Sequence, residues 1–207
     1  MPQDIPLEDG CAPSFTPPSL AHLPAPPRFV LRYATWREEE QRFYVHRANG
    51  VIAHSEEEIR DAIRDGLGTL WTAEQAEAHL VRCETYWAAI DAVREERKQD
   101  PEAKFEFDRD EERLVLELIS RLETQWTTLA RYAADNGKYR RLEPAIYAAT
   151  IVKSWTGLDV PLRLDAGYLD LGCAIEIAKA LGRIEVEAGL EYGTAWEELH
   201  NACWACT

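Results

Sequence analysis

A chain of 207 residues with 46% hydrophobic content can bury a core without disulfide or metal staples, and 37 Asp+Glu against 23 Lys+Arg give a formal net charge of −14. A field of that sign repels phosphate backbones and anionic lipid, so direct nucleic-acid binding and membrane-surface binding are disfavoured. The odd, scattered set Cys11, Cys83, Cys173, Cys203 and Cys206 suggests reduced thiols in a cytoplasm. The opening MPQDIPLEDG has neither the basic start nor the apolar stretch of a signal peptide, and no later run is long enough to cross a bilayer.

Residues 1–27 are rich in Pro and short polar residues, with Pro17-Pro18 and Pro26-Pro27 as paired breakers, and read as an extended arm. Arg28 to Tyr33 has the β-branched and aromatic character of one short strand. Thr35 with Glu38 signals a capping box and a helix from Trp36 to about Ala48, closed by Asn49-Gly50. Val51-Ile52-Ala53 is a short apolar link or a strand pairing with 28–33. Ser55 with Glu58 opens a second helix, ending near Gly66 or Gly68, and Thr72 with Gln75 opens a third.

In the third helix Ala76, Leu80, Cys83, Trp87, Ile90 and Arg94 recur at steps of four and three, the spacing of one buried face, until Asp100-Pro101. Val115, Ile119, Leu122, Trp126, Leu129 and Ala133 repeat the rhythm. The helices near 73–97 and 110–134 are therefore expected to form a central antiparallel hairpin with Trp87 and Trp126 largely buried. Asp135-Asn136-Gly137 reads as a stop. A helix follows from about Tyr139 to Ser154, with Pro144 as an alternative start, then a loop from Trp155 to Pro161. Asp165 is the expected cap of the next helix, carrying Leu169, Cys173, Ile177 and Leu181 up to Gly182, and a last helix carries Ala195, Trp196, Leu199, Cys203 and Trp204. The predicted fold is mainly α: the Pro-rich arm over 1–27, then one helical bundle domain over 28–207 with at most a short N-terminal β element.

His200, Cys203 and Cys206 form an H-x-x-C-x-x-C triplet with zinc-like spacing. Three donors on one helix cannot wrap a tetrahedral ion, and no second Cys-x-x-Cys exists, so Cys203 reads as a core thiol beside Trp196 and Leu199, with Cys206 fraying at the end. His46 and His54 have no neighbouring Ser or Cys to activate and read as surface histidines. The acidic runs Glu38-Glu39-Glu40, Glu56-Glu57-Glu58 and Asp108 to Glu112 fall in helix first turns, where carboxylates favour the free N–H groups. No phosphate-cradling or metallopeptidase motif occurs in the sequence. Catalytic, cofactor and metal residues are all expected to be absent. Trp155, outside any stripe, is either folded back onto the core or offered to a partner, and core closure is the favoured reading.

The stretch Ala148-Ala149-Thr150-Ile151-Val152-Lys153-Ser154-Trp155-Thr156-Gly157-Leu158, followed by Pro161 and a helix, resembles a passage of bacteriophage tail-assembly chaperones and tail accessory proteins, over about residues 139–182. The resemblance implies a non-enzymatic protein of the host cytoplasm that binds a tail component, such as the tail-tube or tape-measure protein, through an apolar helical face and the turn formed by Trp155, Gly157 and Leu158. The Pro-rich arm and the long paired helices are not features of that family. The net charge supports an alternative: an acidic inhibitor or DNA mimic that presents carboxylates to a host nuclease or DNA-binding protein.

Overall fold

Reciprocal capping starts three helices among the described residues, and all three fall where the sequence places them. In the computed structural model, which describes residues 7, 8 and 12–207, Thr35 and Glu38 cap α1 (Trp36–Ala48), Ser55 and Glu58 cap α2 (Glu56–Leu70), and Thr72 and Gln75 cap α3 (Ala73–Glu96). Then come α4 (Arg109–Gln125), α5 (Thr127–Ile151), α6 (Leu171–Glu187) and α7 (Thr194–Ala205). The fold is mainly helical. Its β structure is a small antiparallel sheet, β1 (Leu7–Glu8), β2 (Ala12–Phe15), β3 (Arg28–Leu31) and β4 (Val152–Thr156), and a hairpin, β5 (Leu164–Asp165) with β6 (Tyr168–Leu169). Two compact units result: residues up to Ile52 together with Lys138–Thr207, and Ala53–Gly137.

The unit of residues 53–137 holds the expected hairpin. Arg121, late in α4, lies over the Trp71 ring just before α3, while Glu111 and Glu112, early in α4, meet Arg82 and Tyr86 of α3, so the two helices run antiparallel. Their stripes close on Ile63 and Leu67 of α2 in a core with Cys83, Trp87, Val115, Leu122 and Leu129. Trp87 is buried, with Arg60 and Arg64 over its ring. Trp126 is half-buried and packs against the same core, and extended backbone there (φ −111°, ψ 105°) splits the expected helix 110–134 into α4 and α5. The β-branched pair Thr127-Thr128 follows that break, and such residues resist helix continuation. Gly66 does not stop α2. It admits close packing instead, since a Cβ there would stand 3.0 Å from the Leu122 and Trp126 side chains.

Asp135-Asn136-Gly137 likewise fails to stop α5, because its polar side chains are engaged elsewhere. Asn136 accepts from His54 N at 2.7 Å and donates to His54 O at 3.2 Å, and Asp135 holds the His54 imidazole at 3.0 Å. An Asn so engaged has no reason to adopt the left-handed cap conformation. Pro144 consequently lies inside α5 and does not begin a helix.

In the other unit, β3 pairs with β2 on one side (Phe15↔Phe29) and β4 on the other (Phe29↔Trp155), which leaves no place for a strand at 51–53. The arm is extended from Ala12 to Phe15, as expected, but it takes ladder hydrogen bonds and buries Phe15 and Leu20. Pro18 fits at the start of a 3-10 helix (Pro18–Leu20), where its missing N–H has no partner to lose. Ser19 N and Oγ then donate to the Glu198 carboxylate. Residues 1–6 and 9–11 of the arm, Cys11 among them, lie outside the described residues.

The helix expected to reach Ser154 ends at Ile151, and the expected loop at Trp155 is instead strand β4, consistent with the strand propensity of Val152, Trp155 and Thr156. Asp165 pairs in β5 and caps nothing. Ala166 and Gly167 (φ 50° and 85°) turn the chain into β6, and Asp170 caps α6 by accepting from Cys173 N at 3.0 Å. Helix α6 continues through Gly182 to Glu187. The fully buried Glu185 accepts from Gly193 N and Ala195 N at the start of α7, where a carboxylate satisfies free donors and the helix dipole. Phe29, Leu31, Ile151, Ile177, Leu181, Leu199 and Cys203 form the core of this unit.

Candidate protein-interaction surface

Helix α1 faces its own unit with the wrong side for an ordinary amphipathic helix. None of its residues is buried. Apart from Val45, its inward positions are polar: Glu38 accepts from Tyr168 Oη at 3.3 Å, Glu39 pairs with Arg42, the Arg42 guanidinium lies 4.7 Å from the Tyr147 ring centroid, and His46 stacks on Tyr139. Its outward positions carry Trp36, Phe43 and Tyr44, which are 75%, 61% and 65% exposed. Residues 36, 40, 43, 44 and 47 follow helical spacing and fall within an arc of about 100° on the cylinder. They form one face.

Tyr33, just ahead of the helix, is also exposed, and Ala34 N donates to Cys206 O at 2.8 Å, which seats the start of α1 against the end of α7, where Trp204 is exposed. On the other flank a shallow groove runs between α1 and the β5–β6 turn, lined by Arg37, Phe43, Tyr44, Arg47, Ala166 and Tyr168. Arg32 fixes that turn, with its guanidinium over the Tyr168 ring and a bond from Nη2 to Gly167 O at 3.3 Å. Ala166 is the one non-glycine residue with positive φ among the described residues, so the turn beside this face is held in a conformation that costs an L-residue energy. Exposed Trp and Tyr with Arg at the margin is the composition of interface anchors rather than of solvated surface.

The residues proposed from sequence lie elsewhere. Trp155 and Leu158 are half-buried and packed against the core, the side the residue reading favours. Gly157 (φ 78°) lets the chain leave β4 against Pro26-Pro27, where a Cβ would stand 3.0 Å from Pro26 O. Cys203 is fully buried, and Cys206, expected to fray, is buried too, because the Ala34 N–H···O bond docks the end of α7. Burial pushes the Cys203 and Cys206 thiols up and the Cys83 thiol to about 11, so none is a ready thiolate at neutral pH. His200 is half-buried with its ring edge-on to Tyr147 and its Nε2 unpartnered, and burial lowers its pKa against the opposing pull of Glu143 and Glu197. Among the described residues no group of three or more His, Cys, Asp or Glu is placed to hold a metal ion.

His46 and His54, expected at the surface, are both half-buried, because each stacks on a tyrosine of α5: His46 on Tyr139 and His54 on Tyr132. The acidic first turns behave as expected, with Glu38, Glu58 and Asp108 engaged in N-terminal capping. The aromatic face of α1 is not among the residues expected from sequence, because the capping box at Thr35 and Glu38 marks a helix without marking which side of it faces the core. Its signal is Trp36, Phe43, Tyr44 and Arg47 at i, i+7, i+8 and i+11 opposite Glu39, Arg42 and His46.

No protein-family model, curated protein or solved structure matches the chain. Among the described residues no helix is long and apolar enough to cross a membrane.

Proposed function

We propose that this chain is a non-enzymatic binding protein whose interface is the outward face of α1. The observation that carries this reading is the inversion of α1: Trp36, Phe43 and Tyr44 face solvent while Glu39, Arg42 and His46 face the fold. Leaving three large aromatics in water on one helix forgoes the burial that normally holds a helix down, and a partner surface that covers those rings recovers it. The more specific proposal, that the partner is a phage tail component such as a tail-tube or tape-measure protein, rests on the resemblance over residues 139–182. Trp155 and Leu158 then brace the fold from within, and α1 makes the contact. Co-expression with tail-tube and tape-measure proteins tests this: the parent chain is expected to co-purify with one of them, and the Trp36→Ala/Phe43→Ala/Tyr44→Ala variant is not. Capture of neither by the parent chain would defeat the tail proposal, and equal capture by the variant would defeat the assignment of the face.

A second reading is supported by where the charge lies. Residues 53–137 hold 21 Asp+Glu against 11 Lys+Arg, so a net −10 of the chain's −14 sits in one unit. Several arginines of that unit are already paired, as Arg60 is with Glu56 and Asp91 and Arg82 is with Glu111, while Glu57, Asp65, Glu74 and Glu77 remain exposed. Such a unit suits an acidic inhibitor of a basic cleft. A nuclease-inhibition assay with salt titration tests it: inhibition should weaken steeply with salt, and absence of inhibition at low salt counts against it.

A further inference from the structure

The charges on the α1 face have a specific order. Glu40 lies on one side of the Phe43-Tyr44 pair and Arg47 on the other, and neither side chain makes an ion pair or hydrogen bond within the described residues, although Arg42, on the inward side, does. Measured from the midpoint between Phe43 and Tyr44, Glu40 and Arg47 are equidistant, about 5 Å along the axis in opposite directions at 1.5 Å per residue. Inverting the helix about that midpoint exchanges their places. We propose that this face pairs with a second copy of the chain, the two α1 helices crossing antiparallel about a two-fold axis between Phe43 and Tyr44.

In that pairing the four aromatic rings of the two copies meet at the centre. Each Glu40 carboxylate meets the partner copy's Arg47 guanidinium, so one surface patch satisfies itself twice, as a closed two-fold interface requires. Trp36 lies farther out and falls toward the other copy's helix end, where Ala48 and Ile52 are exposed. The charge favours self-pairing over a wholly apolar groove, which would leave Glu40 and Arg47 desolvated without partners. One short helix per copy gives a small contact, so the association belongs to the weak, reversible class.

The proposal rests on reading α1 as an interface and is separable from the identity of any other partner. Sedimentation analysis of the full chain tests it over a concentration series, with circular dichroism to establish that each variant folds. The parent chain is expected to pass from monomer to dimer. Glu40→Arg and Arg47→Glu, each of which places like charges opposite one another, are expected to weaken dimerisation about tenfold or more. The double variant Glu40→Arg/Arg47→Glu restores opposite charges across the axis and is expected to recover parental association, which a merely structural effect would not produce. A parent chain that stays monomeric, single variants that associate like the parent, or a double variant no better than the singles would each overturn the pairing. A monomer that still captures a tail component through Phe43 and Tyr44 would refute self-pairing and leave the functional reading standing. A dimer that captures none would do the reverse.

Discussion

Glu40 and Arg47 stand seven residues apart on the same exposed face of α1, with the Phe43 and Tyr44 rings between them and no ion-pair partner for either among the described residues. Within its own unit the helix buries none of these rings. Its stability in isolation comes from the Thr35–Glu38 capping box and from inward polar contacts, so removing the outward aromatics should leave the fold nearly untouched. Trp36→Ser, Phe43→Ser and Tyr44→Ser are each expected to change unfolding free energy by no more than about 0.5 kcal/mol, as surface positions do. Urea titration of each variant checks this, and a loss of several kcal/mol would mean that the face is packed within the monomer.

Trp87 provides the contrast. It is buried in the core of residues 53–137 with two guanidiniums over its ring, so Trp87→Ala should cost about 3–5 kcal/mol, whereas Trp126→Ala, at a half-buried site, should cost clearly less. Chemical denaturation of the two variants compares them. Equal losses would contradict the partial exposure of Trp126.

Gly157 belongs to the turn that sequence reasoning offered to a partner, yet its surroundings give it a local role. Gly157→Ala adds a Cβ at φ 78° and 3.0 Å from backbone atoms of Pro26 and Pro27, so a loss of about 1–3 kcal/mol is expected without direct change at α1. Thermal unfolding measures the loss. An alanine variant as stable as the parent would contradict the close approach of Pro26 and Pro27 to Gly157.

Acid should weaken the fold before carboxylates titrate. Burial holds His46 and His200 below the usual histidine value, so the unfolded chain binds more protons than the folded one as pH falls. Their contribution is fully present above the unfolded value of about 6.5 and is lost as pH drops through the lower folded values. Denaturation midpoints are therefore expected to fall between neutrality and the carboxylate range. His200→Phe, which also removes the unpartnered Nε2, should flatten that fall, and an unchanged slope in this variant would contradict it.

Much of the helical fold was legible in the sequence, because capping boxes and apolar stripes are local signals that tertiary packing then used. Thr35, Ser55 and Thr72 cap where they read as caps, and Cys83, Trp87, Val115 and Leu122 are buried where their spacing puts them. What was illegible depended on distant partners. Asn136 looks like a helix stop until His54 occupies its side chain, and Val152–Thr156 looks like the end of a helix until Phe29 supplies a strand to pair with. Asp165 and Asp170 are equally good caps by type, and only the hairpin turn at Ala166-Gly167 selects between them. The candidate surface was written in the spacing of Trp36, Phe43, Tyr44 and Arg47. Its outward direction is set by the inward contacts of Glu38, Arg42 and His46 with distant residues, which spacing alone does not contain.

Residue-resolved hydroxyl-radical footprinting tests the role of α1 most directly, because it reads the exposure of each aromatic ring in solution. In dilute protein Trp36, Phe43 and Tyr44 should oxidise readily, as should Tyr192, which is equally exposed but lies between α6 and α7. On raising the concentration, or adding a captured tail component, protection is expected at Trp36, Phe43 and Tyr44 while Tyr192 stays reactive. Association that leaves those three residues as reactive as in dilute solution would contradict the assignment of this face as the binding surface.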